Sequence, residues 1–349
     1  MSKVVRVLIV DDSAYVRKVI KQMLLRSPFI EVVGTAHDGQ DALEMIERLN
    51  PDVVTLDLIM PGMDGVEFLQ RQMAKKPVPV VIISIASEGG EMTLAALDAG
   101  AVDFVQKPTA LATEKMFDIS EELIDKVKAA ASVPLTRLPV ITTELATHDR
   151  PPLPHHSVKG NIDIVVIGIS TGGPQALAFL IPQFPADLPV PVAIVLHMPV
   201  GYTKMYARRL DGLSTLNVVE AQEGDLVVPG TVLVAAAGRH LSFRRQPSGQ
   251  VVTHLDARPF DTLHRPSVDV MFQSAAEVYQ QRVLGVVMTG MGSDGKEGAA
   301  WIKSHGGTIL TEAESSCIVY GMPRSVVEAG LSDRTVPLEE IAGAILDLL

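Results

Sequence analysis

The strongest constraint on the fold of this chain is a recurring alternation between Val- and Ile-rich apolar runs and amphipathic, helix-like stretches. In the first third of the chain, helix-like stretches such as Tyr15 to Leu25 and Asp41 to Leu49 separate the runs. Strands buried on both faces are continuously apolar, and strands that alternate with helices form parallel sheets. The pattern therefore predicts βα repeats around a parallel sheet. The predicted strands here are Val4 to Val10, Ile30 to Val33, Val53 to Leu56, Val80 to Ile83 and Asp103 to Val105.

A change in composition divides the chain. Residues 133–160 hold five prolines and little periodicity, which is typical of an interdomain linker. With 349 residues, the chain also exceeds the size at which a single core stops growing. We therefore predict one α/β domain at 1–132, a linker at 133–160, and a doubly wound, mainly parallel α/β domain with a β-hairpin at 161–349. The strands of the second domain are predicted at Ile162 to Ile169, Val190 to Leu196, Thr231 to Ala235, Leu241 to Arg245, Val251 to His254, Val283 to Met288 and Gly307 to Leu310.

Composition excludes several classes of protein. The formal net charge of −11 argues against a nucleic-acid binder. Cys317 is the single cysteine, so neither a disulfide framework nor a cysteine zinc cluster is expected. The opening MSKVVRVLIVDDS has a short apolar run that ends in two aspartates, which does not fit a signal peptide, and no apolar stretch is long enough to span a bilayer. We therefore expect a cytoplasmic protein without direct membrane insertion.

Charged and polar side chains stand where successive strands of the first predicted sheet end. Asp11 and Asp12 follow the first strand, Asp57 the third, Ser84 the fourth and Lys107 the fifth. Because parallel strands open onto one edge of the sheet, these groups are expected to lie together. Three carboxylates repel one another unless a cation joins them, and Mg²⁺ prefers carboxylate, carbonyl and water oxygens. The set predicts a phosphoryl-transfer pocket, with Asp57 as the nucleophile, Mg²⁺ as the charge clamp and Lys107 on the phosphoryl oxygens.

Each of these residues taken alone has a plain structural interpretation. A strand-end aspartate is often a helix N-cap, and for Asp12 alone that interpretation is favoured. A strand-end lysine is often a surface residue. Five such residues on successive strand ends outweigh the separate interpretations.

Four motifs in the first domain, VDDSAYVR, LDLIMPGMDG, VVIIS and FVQKP, resemble the receiver domain of response regulators. The resemblance covers roughly residues 5–131 and implies a flavodoxin-like, doubly wound parallel sheet. It implies phosphorylation of Asp57, a metal site and a switch that responds to the phosphate. The implied metal ligands are Asp11, Asp12, Asp57 and the carbonyl of Ile59, and the implied switch pair is Ser84 and Phe104.

A second candidate site begins at the run DIVVIGISTGGPQAL, which predicts a strand, a glycine-rich turn and a helix. Gly168 to Gly172 spell G-x-S-x-G, a turn that exposes its serine, Ser170, at the sheet edge and aims backbone N–H groups at a developing oxyanion. Two other interpretations compete. Ser170 could be the N-cap of a structural turn. The turn could also bind phosphate, although it lacks both the G-x-G-x-x-G and the G-K-[ST] spacing.

A nucleophilic serine requires a base, and His197 is the favoured candidate. His197 ends the apolar run VAIVLH, so it is expected at the same sheet edge as Ser170. His264, in LHRPSVDVMF, is the rival base. His240 and His254 are weaker candidates.

The base in turn requires an orienting carboxylate, and Asp294 stands in the glycine-rich turn of GVVMTGMGSDG. Asp269 is the alternative, and a turn aspartate that bonds its own backbone is the plain structural interpretation. The order Ser170, His197, Asp294 differs from the Ser, Asp/Glu, His order of α/β-hydrolases. We therefore predict a triad built on a different sheet, as triads recur on unrelated folds.

Five motifs stand in the second half: GISTGGPQAL, LHMPVGYTKMYARRLD, LHRPSVDVMFQSAA, VVMTGMGSDGKEG and SSCIVYGMPRSVV. They resemble the catalytic domain of the chemotaxis protein-glutamate methylesterase family, CheB. The resemblance covers roughly residues 162–349 and places the family's triad on Ser170, His197 and Asp294. Leu196 departs from relatives that often have Gln there, but the difference removes no catalytic group. A receiver joined by a linker to this domain is itself the family's arrangement.

The resemblance implies a phosphorylation-activated methylesterase that hydrolyses glutamate methyl esters on chemotaxis receptors and also deamidates receptor glutamines. A chemotaxis histidine kinase would supply the phosphate. Mg²⁺ would serve the receiver, and ester hydrolysis would need no cofactor. Backbone N–H groups of Thr171 and Met291 are the candidate oxyanion donors. The alternatives are a receiver with a non-catalytic, partner-binding output domain, and a DNA-binding regulator, which the absence of a basic recognition helix from the sequence pattern disfavours.

Overall fold

The computed structural model describes residues 4–108, 117, 119–134 and 161–349, with the backbone alone for residues 85–89. The chain divides into two compact units, Met1–Thr147 and His148–Leu349. The predicted linker at 133–160 lies outside the described residues, except for 133 and 134. Within the described parts of the chain, no helix has the length and apolar character needed to cross a membrane.

The first unit is a five-stranded parallel sheet with helices between its strands. Its elements are β1 (Val5–Val10), α1 (Ala14–Leu24), β2 (Ile30–Ala36), α2 (Gly39–Leu49), β3 (Val53–Leu56), α3 (Gly65–Lys75), β4 (Val80–Ile85), α4 (Ala86–Asp98), β5 (Asp103–Lys107) and α5 (Ser120–Ala131). The strand order is β2–β1–β3–β4–β5, and every pairing is parallel. This is the flavodoxin-like order, whose direction reverses between β1 and β3.

Side-chain caps fix where the first three helices begin. Ser13, Asp38 and Asp64 precede α1, α2 and α3, and each side chain accepts a hydrogen bond from a backbone N–H of the first turn. Such a cap contributes ~1 kcal/mol. Because Ser13 caps α1, the N-cap interpretation of Asp12 is wrong, and the carboxylate of Asp12 is exposed.

The second unit holds a seven-stranded sheet and a separate hairpin. Its elements are β6 (Ile164–Ile169), α6 (Gly173–Leu180), β7 (Val192–Leu196), α7 (Thr203–Leu213), β8 (Asn217–Glu220), β9 (Thr231–Val234), β10 (His240–Arg245), β11 (Val251–Asp256), α8 (Val268–Tyr279), β12 (Val283–Val287), α9 (Lys296–Ser304), β13 (Thr308–Glu312), α10 (Met322–Glu328), β14 (Arg334–Val336) and α11 (Leu338–Leu346). Two short 3₁₀ helices, Ile181–Gln183 and Gln280–Arg282, follow α6 and α8.

The large sheet is entirely parallel, with the order β14–β13–β12–β6–β7–β9–β8. Every residue of the central strands β6, β7 and β12 is buried, which explains their continuously apolar sequences. The predicted hairpin is confirmed as the antiparallel pair β10–β11. The strand order reverses between β6 and β12, and open α/β sheets bind ligands outside the carboxyl ends of their strands at such a reversal.

Candidate functional site

An acidic cluster lies at the carboxyl edge of the first sheet, where the strand order reverses between β1 and β3. Carboxylate oxygens of Asp11, Asp12 and Asp57 lie within 4.8 Å of one another. Asp11 and Asp57 are buried, whereas Asp12 is exposed. Three carboxylates with one side open to water suit a hard divalent cation that keeps part of its water shell. The residues therefore fit Mg²⁺.

Lys107 joins two members of the acidic cluster. Its buried ammonium donates to Asp11 Oδ2 at 2.7 Å and to Asp57 Oδ2 at 2.6 Å. Burial raises the pKa of Asp11, and the Lys107 ammonium opposes that rise. Sequence reasoning missed Arg17, whose Nη1 donates to the backbone oxygens of Asp11, at 2.6 Å, and of Asp12, at 3.0 Å. Its position in the VDDSAYVR motif, one turn into α1, is the signal that could have identified it.

The other predicted receiver residues surround the cluster. Ser84 is 1% exposed, and its hydroxyl has no hydrogen-bond partner within the described residues. Phe104 is also buried, and its backbone oxygen accepts a hydrogen bond from Lys126 Nζ at 2.6 Å. Ile59 is exposed, and its backbone N–H donates to Asp57 Oδ1 at 3.4 Å. The unbonded hydroxyl of Ser84 could therefore turn toward a new acceptor without first losing a hydrogen bond.

In the second unit, Ser170 occupies the turn between β6 and α6. Its backbone N–H donates to Thr289 O at 3.0 Å, and its backbone oxygen accepts from Gly173. Gly172 takes the N-cap position of α6 with a φ of +79°, so the interpretation of Ser170 as that helix cap is wrong. Ser170 is half-buried, and its Oγ makes no hydrogen bond to any residue that the structure describes. The hydroxyl is thus left available to a substrate.

His197 lies beside Ser170 because of the strand register. Ile169 of β6 pairs with Leu196 of β7, and His197 N donates to Ile169 O at 3.2 Å. Ser170 and His197 therefore directly follow the ends of two neighbouring strands. His197 Nε2 lies 2.8 Å from Asp294 Oδ2, whereas its Nδ1 is buried and has no hydrogen-bond partner among the described residues.

Both carboxylate oxygens of Asp294 accept hydrogen bonds. Its Oδ2 accepts from His197 and, at 2.8 Å, from the backbone N–H of Val268, while its Oδ1 accepts at 2.9 Å from both Ser267 Oγ and the backbone N–H of Asp269. Burial disfavours the ionised carboxylate, but His197 and these N–H donors hold the pKa of Asp294 below its usual value. Asp294 is therefore an anchored anion beside the imidazole, and it also caps the N-terminus of α8. Ser267 was missed by sequence reasoning, although a serine directly before a helical pattern was the available signal.

The alternative carboxylate, Asp269, does not contact His197. Its Oδ1 instead accepts hydrogen bonds from the backbone N–H groups of Gly295, at 2.9 Å, and Gly298, at 2.7 Å. Asp269 thus caps α9, while Asp294 from the turn before α9 caps α8. Burial raises the pKa of Asp269 to about 6, and the negative charge of Asp294 adds to that rise.

The alternative histidines occupy different places. The His264 ring stacks on the His197 ring, with centroids 4.0 Å apart and planes 21° apart. His240 is buried and its Nδ1 accepts the backbone N–H of Ser267 at 3.2 Å, so it supports the residue that bonds Asp294. His254 lies on the hairpin and bonds Glu223 at 3.0 Å. The structure thus brings His264 to His197 and places His254 on another element.

The candidate oxyanion donors lie on two adjoining turns. Thr171 directly follows Ser170 and is buried. Met291 follows Gly290, where a Cβ atom would stand 2.8 Å from Ser170 Cβ, so only glycine permits this approach. The backbone N–H of Met291 donates to no described residue. Both turns therefore pass close to the carbon that carries the Ser170 hydroxyl.

Known proteins match both units. The sequence profile of the family described as CheB methylesterase matches residues 165–345, which is more than half of the chain. The chain belongs to the CheB methylesterase family. The profile of the response regulator receiver domain matches residues 7–116. The predicted family and the two-part α/β fold are thus confirmed.

Full-length relatives and one solved domain agree with CheB membership. A protein of Myxococcus xanthus named protein-glutamate methylesterase/protein-glutamine glutaminase 5 is 48% identical, over 96% of this chain and 95% of that protein. A Pyrococcus horikoshii protein named protein-glutamate methylesterase/protein-glutamine glutaminase is 40% identical, over 99% of this chain and 94% of that protein. The crystal structure of the Thermotoga maritima CheB methylesterase catalytic domain is 43% identical, covers 55% of this chain and all of that chain, and has a TM-score of 0.53.

His264 gives a first prediction for this CheB protein. The ring of His264 stacks on that of His197, and we expect this contact to fix the plane of the His197 imidazole. His264→Ala should lower kcat for ester hydrolysis roughly 10-fold, because small misplacements of a catalytic group are costly. His264→Phe, which keeps a flat ring, should recover most of that loss. If the Phe variant is as slow as the Ala variant, an imidazole nitrogen of His264 takes part in the chemistry.

A buried carboxyl group lies behind the turn that holds Ser170. Glu312 is 0% exposed, and its Oε2 accepts from the backbone N–H of Thr289 at 2.8 Å, while its Oε1 accepts from Ser316 Oγ at 2.9 Å. The backbone oxygen of Thr289 in turn accepts from Ser170. Burial raises the pKa of Glu312 to about 6 from its ordinary value of 4.5, and Glu312 has no ion-pair partner in the described parts of the chain.

The raised pKa of Glu312 predicts a pH-dependent stability. Between pH 4.5 and about 6 the folded state binds more protons than the unfolded state, so the free energy of unfolding falls as pH rises through this window. The expected loss is about 2 kcal/mol. Glu312→Gln should remove this loss, whereas Glu314→Gln, an exposed neighbour, should not. Denaturant unfolding followed by the fluorescence of Trp301, the single tryptophan, measures the difference. The same pH dependence in wild type and Glu312→Gln would contradict it.

Proposed function

We propose that this protein is a phosphorylation-activated protein-glutamate methylesterase, which hydrolyses glutamate 5-O-methyl esters on chemotaxis receptors to glutamate and methanol. The observation that carries the proposal is the relay at the reversal of the large sheet, where Ser170 and His197 end neighbouring strands and Asp294 lies 2.8 Å from His197 Nε2. The names of the full-length relatives support the same activity. Those names also include glutaminase, and we propose deamidation of receptor glutamines as a second activity.

In the proposed reaction, Ser170 Oγ attacks the carbonyl carbon of the ester. Because Asp294 occupies Nε2 of His197, Nδ1 is the nitrogen that takes the serine proton. Asp294 stays ionised, holds the ring and stabilises its positive charge. The C–O bond to the methoxy group then breaks, and His197 returns the proton so that methanol leaves.

The acyl-enzyme is hydrolysed by the same groups in reverse roles. His197 takes a proton from water as the water oxygen attacks the acyl carbon, and the Ser170 Oγ–acyl bond then breaks as His197 gives the proton to Ser170 Oγ. Backbone N–H groups of Thr171 and Met291 are proposed to hold the negative oxygen in both steps, which accounts for a large share of the rate in acyl-transfer enzymes. A glutamine side chain can follow the same path with ammonia as the leaving group.

For the receiver, we propose that Asp57 accepts a phosphoryl group from a chemotaxis histidine kinase. Mg²⁺, held by Asp11, Asp12, Asp57 and the carbonyl of Ile59, would neutralise charge on the transferred group. Lys107, now bonded to both buried carboxylates, would turn to the phosphoryl oxygens. We propose no cofactor for the ester step.

The proposed switch uses Ser84 and Phe104. The Ser84 hydroxyl has no bond to give up within the described residues, so it can bond the phosphate and leave room for Phe104 to repack. We propose a receiver at 1–132, a linker at 133–160 and a catalytic domain at 161–349, acting in the cytoplasm without inserting into the membrane and without nucleic acid.

Methanol release tests the proposal. Full-length protein is incubated with methylated receptor, with and without a small phosphodonor and Mg²⁺. The proposal expects methanol in both samples and a faster rate with the phosphodonor. A protein that binds the receptor but releases no methanol in either sample would favour the alternative of a non-catalytic, partner-binding output domain.

A further inference from the structure

Three large apolar side chains are exposed on the loops that carry the candidate base and its stacking neighbour. Val200 follows His197 by three residues, and Phe260 and Leu263 lie on the segment that leads to His264. Their exposed fractions are 67% for Val200, 69% for Phe260 and 97% for Leu263. Exposed apolar residues that are grouped, rather than scattered singly, mark binding surfaces. We call these three residues the loop patch.

A chain of contacts connects the loops that hold Val200 and Phe260. A Cβ atom on Gly238 would lie 3.2 Å from Val200 Cγ2, so Val200 covers Gly238. The backbone N–H of Gly238 donates to Arg265 O at 2.9 Å. The guanidinium of Arg265 lies 5.2 Å from the centre of the Phe260 ring and donates to Phe260 O at 3.4 Å. Val200 and Phe260 are therefore linked through Gly238 and Arg265.

Leu263 places the loop patch beside the catalytic groups. It directly precedes His264, whose ring lies 4.0 Å from that of His197. A polypeptide that contacts Leu263 is therefore within a few residues of the ester-cleaving groups. The hydrogen bonds of Asp294 come from His197, Ser267, Val268 and Asp269, none of which belongs to the loop patch.

Unpaired positive charge borders the loop patch. Lys204 follows Val200 by four residues, Arg239 follows Gly238, and both side chains are exposed. Neither these two nor Arg265 makes an ion pair with any carboxylate that the structure describes. Asp261 is an exposed acid on the same segment, and Glu220 accepts a hydrogen bond from Thr203 beside Lys204, so the three cations outnumber two acids. This excess runs against the net charge of −11 of the whole chain.

We propose that the loop patch, with Lys204, Arg239 and Arg265, is a docking surface for an acidic amphipathic segment of the substrate protein. Apolar side chains of the segment pack on the patch while its carboxylates pair with the three cations. The inference rests on the proposed function, because a protein with several glutamate esters gains a carboxylate at each ester that is hydrolysed. Docking beside His197 holds the next ester within reach of Ser170.

The test uses the full chain and two readouts. One is kcat/KM on methylated receptor, and the other is the rate at which Ser170 reacts with a small fluorophosphonate, which needs the triad but not docking. The double variant Phe260→Ser, Leu263→Ser should lower kcat/KM roughly 10-fold or more through KM, because two apolar contacts are lost. Its phosphonate rate should stay within about twofold of wild type. The matched control is Leu226→Ser, Val228→Ser, which removes two exposed apolar side chains beside β8 and β9 and should change neither readout.

Charge is tested separately. Arg239→Glu should lower kcat/KM on receptor at low salt, and the difference from wild type should shrink at 1 M salt, where charges are screened within about 3 Å. An unchanged salt dependence would remove the cations from the proposal.

Other outcomes overturn the docking surface. An unchanged kcat/KM in the Phe260→Ser, Leu263→Ser variant would do so, as would an equal loss of phosphonate labelling, which would locate the defect in the triad. If the Phe260→Ser, Leu263→Ser variant releases methanol faster than wild type without phosphodonor, the loop patch takes part in an inhibitory contact instead. A wild-type protein that reacts with the phosphonate but releases no methanol from receptor would overturn the proposed function itself.

Discussion

Replacing Ser170 with alanine is expected to abolish methanol release from methylated receptor, lowering kcat by about 10⁴-fold or more. The variant lacks the nucleophile, while the rest of the site remains, because the Ser170 hydroxyl makes no hydrogen bond to a described residue. Methanol release measures the loss. Unfolding followed by Trp301 fluorescence and phosphorylation of Asp57 should match wild type, which shows that the fold is intact.

The other triad variants sharpen that experiment. His197→Ala should be nearly as inactive as Ser170→Ala, because an unassisted serine is a weak nucleophile. Asp294→Asn should be strongly impaired too, because the imidazole loses its anchoring charge. Near-full activity of Ser170→Ala would contradict the assignment of the nucleophile. If His264→Ala is inactive and His197→Ala is active, then His264 is the base.

Replacing Asp57 with asparagine is expected to prevent phosphorylation and to remove the whole activation by phosphodonor. Phosphate can shift activity only by its differential stabilisation of the active state, and a coupling of ~1–3 kcal/mol corresponds to roughly 5- to 150-fold. Mass spectrometry of the intact protein measures phosphate, and methanol release measures activation. Removing Mg²⁺ with a chelator should block phosphorylation of the wild type as well.

A matched control exists on α5. Asp125→Asn makes the same change of charge on an exposed residue outside the acidic cluster, and it should accept phosphate normally. Phosphate found on a residue other than Asp57 in the wild-type protein would contradict the assignment.

The sequence predicts the central strands of both sheets because these strands are buried on both faces and read as unbroken apolar runs. It does not predict β8 and β14, the two edge strands of the large sheet. Both are short and both include exposed residues, so neither has the apolar run that marks a central strand. Each edge strand pairs with a single neighbour, β8 with β9 and β14 with β13, so it is not buried on both sides by other strands.

The same limit applies to the candidate site. Strand-end position is enough to single out Ser170, His197 and Asp294, but it cannot separate His197 from His264, which stack on each other. The pairing of Ile169 with Leu196 makes the difference, and strand register depends on the whole sheet. The burial of Glu312 behind the turn that holds Ser170 could not be predicted, because a glutamate at a strand end is usually solvated.

The exchange of caps between α8 and α9 has an evolutionary consequence. Asp294 is at once the partner of His197 and the acceptor for the first turn of α8, so we expect a mutation there to remove activity and also to destabilise α8. A gene copy released from selection for catalysis would still be selected against losing Asp294, because an unstable product is degraded. In such a copy, substitutions should therefore accumulate first at Ser170, whose hydroxyl holds no other described residue in place. The aspartate at position 294 would then remain after the serine at position 170 is lost, because folding still requires it.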